Sequence, residues 1–252
     1  MISLFANWKM YLNHEESLQL AREYATLSYE KASVRMVVFP TLLSATSVQG
    51  IVNTAGIAVG AQHAAWTPKG AYTGAVSMEV LHSAHISYSL IGHSERRHVF
   101  GESNDDTHKR LQAAIDAGIT PVLCVGDTAD DVAAQKQEYR IKKQLLEAFQ
   151  NITGLEQANI YIAYEPVWAI SQAGVGTACS PEEAKHMLHL IREEMKQYTT
   201  QAITCLYGGS VTPQNVLSYI TQEGIDGVLV GSASVHTDEY KALVHAVSGD
   251  IS

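Results

Sequence analysis

The sequence predicts an α/β protein, a closed (β/α)8 barrel of eight parallel strands with outer helices, formed as one domain over residues 1–252. Three observations carry this reading. Short apolar, β-branched runs alternate with longer amphipathic ones from end to end. At 252 residues the chain has the length at which such barrels form a single domain, and no linker, low-complexity segment or charge block divides it. The rival architecture, an open doubly wound sheet, would carry Gly-x-Gly-x-x-Gly after its first strand, where Trp8-Lys9-Met10-Tyr11 stands instead.

In order along the chain, the strand-like runs are 2–8, 34–39, 57–62, 87–91, 120–125, 160–165, 202–207 and 227–230. The first lacks the basic region of a signal peptide and reads as an opening strand. Helical stretches are expected at 14–28, 104–117, 130–150, 181–198 and 213–220. Ser180-Pro181-Glu182-Glu183 is a marked helix start, with a Ser cap, Pro at the first helical position and Glu at the third. Thr212-Pro213 is expected to start a helix in the same way. Asp130-Asp131 and Lys142-Lys143 sit at the ends of a single helix where the macrodipole favours each charge. The long irregular segments are 63–76 and 166–179, and loops of that length in a compact domain are usually functional.

The composition excludes several classes. Apolar content of 46% suits a globular core, and no stretch approaches a membrane span. A formal charge of -9 argues against general binding to nucleic acid or anionic membranes, so an anionic substrate must be handled locally. Three scattered cysteines without Cys-x-x-Cys suit reduced thiols in a cytoplasmic protein. His82/His85 and His186/His189 have helical spacing, but no nearby residues complete a ligand set, and no metal is expected.

The active site of such a barrel lies at the carboxyl ends of its strands. The first strand delivers Asn7 and Lys9, two apart and so on one side. The fourth ends in Gly92-His93-Ser94-Glu95-Arg96-Arg97 and the sixth in Glu165, just before Pro166. A carboxylate among large apolar residues at a strand end is poorly solvated, and its pKa is expected to rise toward that of a general base. Strands seven and eight end in Tyr207-Gly208-Gly209-Ser210 and Gly231-Ser232-Ala233, glycine-rich turns that can aim N–H groups at a phosphate. Together these residues describe proton abstraction beside a carbonyl. Glu165 is the base, neutral His93 polarises the carbonyl and shuttles a proton, and Lys9 stabilises the enediolate. No cofactor motif is present, and this chemistry requires none.

These residues resemble the triosephosphate isomerase family over nearly the whole chain. The resemblance rests on Asn7-Trp8-Lys9-Met10, Gly60-Ala61-Gln62, Tyr72-Thr73-Gly74, Ile91 to Arg97, Cys124-Val125-Gly126, Ala163 to Ile170 and Tyr207 to Val211. It implies a TIM barrel without cofactors, a homodimer joined through loop 63–76, acting in the cytoplasm in glycolysis and gluconeogenesis. The implied reaction interconverts dihydroxyacetone phosphate and D-glyceraldehyde 3-phosphate. It makes Asn7 and Lys9 substrate-binding residues, His93 the electrophile and Glu165 the base. Ser171, Ser210, Gly231 and Ser232 become phosphate-binding residues, with Glu95, Tyr207 and Cys124 in support. Segment 166–179 becomes a lid over the phosphate, a gating device best known from this family itself.

Several positions depart from the family pattern. The lid is three residues longer than usual, and Ser171 replaces a glycine. Ser232 stands in the usual glycine pair after strand eight, and Asp127 replaces a glutamate. Ala75 replaces a carboxylate that in the family meets an arginine across the dimer, with Arg96 at that arginine's position. A longer lid could admit one more CHOH group, so a family isomerase acting on a four-carbon ketose phosphate is the second reading. A non-catalytic phosphate-binding barrel is the third, although it would need neither His93 nor Glu165.

Overall fold

The computed structural model of the chain describes residues 1–170 and 178–249. Eight parallel strands pair in sequence order and close on themselves: β1 (Ile2–Asn7), β2 (Val34–Phe39), β3 (Ala58–Ala61), β4 (Tyr88–Ile91), β5 (Thr120–Val125), β6 (Tyr161–Tyr164), β7 (Thr204–Tyr207) and β8 (Gly227–Val230). The helices are α1 (His14–Ala25), α2 (Leu42–Val52), α3 (Met78–Ser83), α4 (Ser94–His98), α5 (Asn104–Asp116), α6 (Ala129–Ala133), α7 (Gln137–Phe149), α8 (Pro181–Met195), α9 (Val216–Ile220) and α10 (Thr237–Ser248).

The strands are apolar on both faces because both are covered. Inward residues such as Phe5, Val37, Leu90, Val122, Ala163, Leu206 and Leu229 fill the barrel, with Phe39, Cys124 and Tyr161 in the same cluster. Outward residues such as Leu4, Val38, Leu123 and Ile162 pack with the helices in a second, larger core. The barrel interior is thus solid, and polar side chains converge only at its rims. Register aligns those rims: Asn7 pairs with Phe39, Ile91 with Leu123, and Val125 with Tyr164.

Local chemistry fixes the helix starts. Asn13, Ser103 and Thr128 each form a capping box with the acid three residues on. Ser180 caps α8 by accepting from the Glu183 N–H, with Pro181 opening the helix as expected. Two expectations are corrected. The stretch 130–150 is two helices, α6 and α7, because Gln135 adopts a left-handed φ of 55° between them. Arg140 then ties α7 back to Asp131 at 2.9–3.1 Å, which holds the corner. After Thr212, Pro213 begins a turn and the α-helix starts only at Val216, with no side-chain cap.

Candidate active site

The carboxyl ends of β1, β4, β6, β7 and β8 enclose a cavity of about 110 Å³. Asn7, Lys9, His93 and Glu165 line it together with the turns at 208–212 and 231–233. Of the substrate-binding and catalytic residues expected from the sequence, all but Ser171 meet here; Ser171 lies outside the described residues.

Lys9 is held in an unusual backbone state. Its φ is 47°, a left-handed conformation that a residue with a Cβ adopts at a cost of order 1 kcal/mol. Three bonds hold it there. The Lys9 N–H donates to Asn7 Oδ1 at 3.1 Å, Gln62 Nε2 donates to the Lys9 carbonyl at 2.7 Å, and the ammonium donates to Glu95 Oε1 at 2.7 Å. The last is an ion pair between the first strand end and the start of α4. Gln62 also donates to the Phe39 carbonyl at 2.9 Å, so the third strand end steadies the first.

His93 is the residue before α4, and its Nδ1 accepts the Glu95 N–H at 3.2 Å. A ring nitrogen that accepts carries no proton, so the imidazole is held as the neutral Nε2–H tautomer. Nε2 faces Glu165 Oε1 at 3.1 Å, while Glu165 Oε2 accepts the Ser94 N–H at 2.8 Å. Asn7 Nδ2 lies 3.3 Å from the same His93 nitrogen. Because Asn7 Oδ1 is engaged by Lys9, both of these nitrogens present hydrogens. Two donors converge beside a carboxylate that is only 2% exposed. This is a site for an oxygen that gains charge next to a carbon that loses a proton.

The floor beneath Glu165 is tightly fitted. A Cβ on Gly126 would lie 1.9 Å from the Glu165 carbonyl oxygen, so only glycine allows this approach. Cys124 is fully buried behind the carboxylate. Burial, and then the Glu165 charge, push its thiol well above the ordinary range, so it remains a neutral packing group.

The glycine-rich turn after β7 is braced by its neighbours. Ser210 Oγ donates to the Ala169 carbonyl at 2.8 Å. Tyr207 lies under the turn, its hydroxyl buried and without a partner among the described residues. Asp127 braces the entry to segment 166–179. It accepts from Tyr164 Oη at 2.7 Å and Trp168 Nε1 at 2.9 Å, and its carbonyl accepts the Val167 N–H at 3.0 Å. Burial raises the Asp127 pKa, against the pull of those two donors. The sequence marks Asp127 only as a departure, since its partners are 37 and 41 residues away. Tyr11, Thr212, Leu229 and Glu239 also line the cavity and carry no motif.

Segment 63–76 is fastened by a buried carboxylate. Glu102 takes Arg96 at 2.6 Å and His63 at 3.2 Å through Oε1, and Arg110 at 3.4 Å through Oε2. Arg110 also donates to the Ala64 carbonyl at 3.0 Å and lies 4.8 Å from the centre of the Trp66 ring. Arg96 therefore has a partner in its own chain where Ala75 offers none. Among the described residues no group of three or more His, Cys, Asp or Glu is arranged to hold a metal ion. No described helix is long and apolar enough to cross a membrane.

Comparison with known proteins agrees with this geometry. The family model described as triosephosphate isomerase matches residues 2–247. The protein named triosephosphate isomerase from Trichodesmium erythraeum is 38% identical over 240 residues, covering 95% of this chain and 96% of its own. That from Picosynechococcus is 36% identical over 247 residues, covering 98% and 99%, and that from Symbiobacterium thermophilum is 34% identical over 247 residues, covering 96% and 95%. A match that spans every strand and every residue of the cavity wall described above places this chain in the triosephosphate isomerase family.

Proposed function

We propose that this chain interconverts dihydroxyacetone phosphate and D-glyceraldehyde 3-phosphate, with Glu165 as the base. The observation that carries the proposal is the triangle of Glu165, His93 Nε2 and Asn7 Nδ2, set in the wall of a cavity that the glycine-rich turns also line. Glu165 takes a proton from the carbon next to the carbonyl. The freed electron pair forms the C=C bond, and the carbonyl oxygen becomes the enediolate oxygen. His93 Nε2–H and Asn7 Nδ2–H donate to that oxygen, and the Lys9 ammonium balances its charge. Glu165 then returns its proton to the neighbouring carbon, while the hydroxyl proton passes between the two oxygens by way of His93. Every atom and electron balances within the substrate, so the proposal includes no cofactor.

The turns at 208–212 and 231–233, with Ser210, Gly231 and Ser232, hold the phosphate in this reading. Nothing in the described site favours the four-carbon ketose phosphate. We also infer a homodimer that works in the cytoplasm. The support for association is apolar exposure on the loops after β1, β3 and β4: Met10 is 90% exposed, Tyr72 55% and Phe100 65%. The support for the compartment is three buried, unpaired cysteines. The test of the activity is kcat/KM on triose and tetrulose phosphates side by side. Preference for the triose is expected; preference for the tetrulose would overturn the substrate, and no turnover of either would overturn the enzyme.

A further inference from the structure

The residues around the start of α9 hold the cavity wall, which they do not themselves line, in a way that packing alone does not require. The Asn215 carboxamide bridges the turn after β7. Its Nδ2 donates to the Ser210 carbonyl at 3.0 Å, and its Oδ1 accepts the Thr212 N–H at 2.8 Å. Ser210, Val211 and Thr212 all line the cavity, so this one side chain sets the curvature of its wall.

Four residues on, and so on the same side of the helical turn, lies Tyr219, which is 2% exposed. Its ring stacks on Tyr207 at 4.1 Å and 17°. Its hydroxyl donates to the Cys179 carbonyl at 2.6 Å. Tyr207 in turn underlies the glycine-rich turn, since a Cβ on Gly209 would fall 2.1 Å from the Tyr207 hydroxyl oxygen. A phenylalanine at 219 would fill the same space, so what the hydroxyl adds is the bond to Cys179. That bond fixes the residues leading into α8 against the ring that supports the turn.

We propose that Asn215 and Tyr219 are positioning residues for the phosphate end of the site. Asn215 acts through the turn 210–212, and Tyr219 acts through Tyr207 and Cys179. The inference rests on the isomerase reading above. An anion held by backbone N–H groups is held well only when those groups point in fixed directions. Binding energy from the phosphate, remote from the reacting carbons, is used to orient them. Loosening the turn therefore slows a phosphorylated substrate and spares one without a phosphate.

Wild type, Asn215→Ala and Tyr219→Phe are assayed with D-glyceraldehyde 3-phosphate and with unphosphorylated D-glyceraldehyde. Inorganic phosphate affinity is measured by calorimetry, and folding by thermal unfolding. Loss of one or two neutral hydrogen bonds predicts a fall in kcat/KM on the phosphorylated substrate of roughly tenfold for Asn215→Ala and about fivefold for Tyr219→Phe. Phosphate Kd should rise in parallel, while turnover of glyceraldehyde stays within about twofold, as expected when only remote binding is lost. Equal losses on both substrates, or an unchanged phosphate Kd, would overturn the proposal. If Asn215→Ala does not fold, Tyr219→Phe decides alone. If wild type does not turn over the triose phosphate, the isomerase reading falls, and the phosphate Kd values of the variants still decide the role of the two residues.

Discussion

Glu165→Asp tests the site with the smallest change. The charge is kept, and the carboxylate is drawn back by one methylene, about 1 Å after the side chain adjusts. In the wild type the two oxygens sit 3.1 Å from His93 Nε2 and 2.8 Å from the Ser94 N–H. Drawing back by that amount takes both contacts beyond hydrogen-bond range. Under the proposed function the reacting carbon does not follow, because the substrate's phosphate is held by the turns after β7 and β8, and Gly126 packs closely on the Glu165 carbonyl. A misplacement of about 1 Å costs on the order of 10²-fold in rate, or about 2.7 kcal/mol of barrier. Glu165→Gln keeps the shape but cannot take a proton, and it should lose considerably more. Both variants are assayed for kcat and KM in each direction, and for exchange of the substrate's carbon-bound proton with deuterated water. The expected result is a fall in kcat with little change in KM, and in Glu165→Gln a matching loss of exchange. A folded Glu165→Gln variant that retains near-normal kcat or exchange would show that another group takes the proton.

Three further outcomes are expected. Asp127→Ala leaves the Tyr164 hydroxyl and the Trp168 indole N–H without their acceptor, at a cost of about 2 kcal/mol, which for a chain of this size lowers Tm by roughly 4–8 °C; calorimetry that finds no shift would refute the bracing role. His63 is pushed down from 6.5 to about 4, first by burial and then by the nearby Arg96 and Arg110 charges, against the pull of Glu102. Between those values the unfolded chain binds more protons than the folded one, so stability should be complete above pH 6.5 and fall toward pH 4, by about 1 kcal/mol after screening of the partly exposed ring. His63→Gln should flatten the dependence of Tm on pH over that window, and an unaltered slope would assign it to other groups. Light scattering at micromolar concentration should return the mass of a dimer, since the Arg96 contact that Ala75 cannot make across an interface would be worth only about 0–1 kcal/mol at its rim; a monomer would refute the association.

The strands and the rim residues are legible in the sequence because both rest on local rules. A run buried on both faces must be apolar, and a parallel barrel must bring its strand ends to one rim, so Asn7, Lys9, His93 and Glu165 converge once the strands are placed. What is not legible depends on backbone detail or on long-range pairing. The amphipathic pattern of 130–150 runs smoothly through Gln135, and nothing in composition signals that one residue will turn left-handed there. The same holds for Lys9, whose left-handed φ is imposed by Asn7 and Gln62 rather than by its own preference.

Arg96 shows how a local rule can mislead. Considered beside Ala75 alone, it appears as a charge that has lost its partner. In the fold it donates to Glu102, six residues on, and that carboxylate is shared with His63 and Arg110. The missing carboxylate at position 75 therefore removes no buried pairing within the chain. Asp127 is the converse case, a shorter acid whose contacts survive the change of length. It reaches both Tyr164 and Trp168 because Val125 and Tyr164 are in register on adjacent strands, which brings the two strand ends side by side. A substitution at the rim of this barrel is thus judged by whether strand register still delivers its atoms to their partners. By that measure Asp127 keeps its partners, and Asn7, Lys9, His93 and Glu165 keep their mutual contacts.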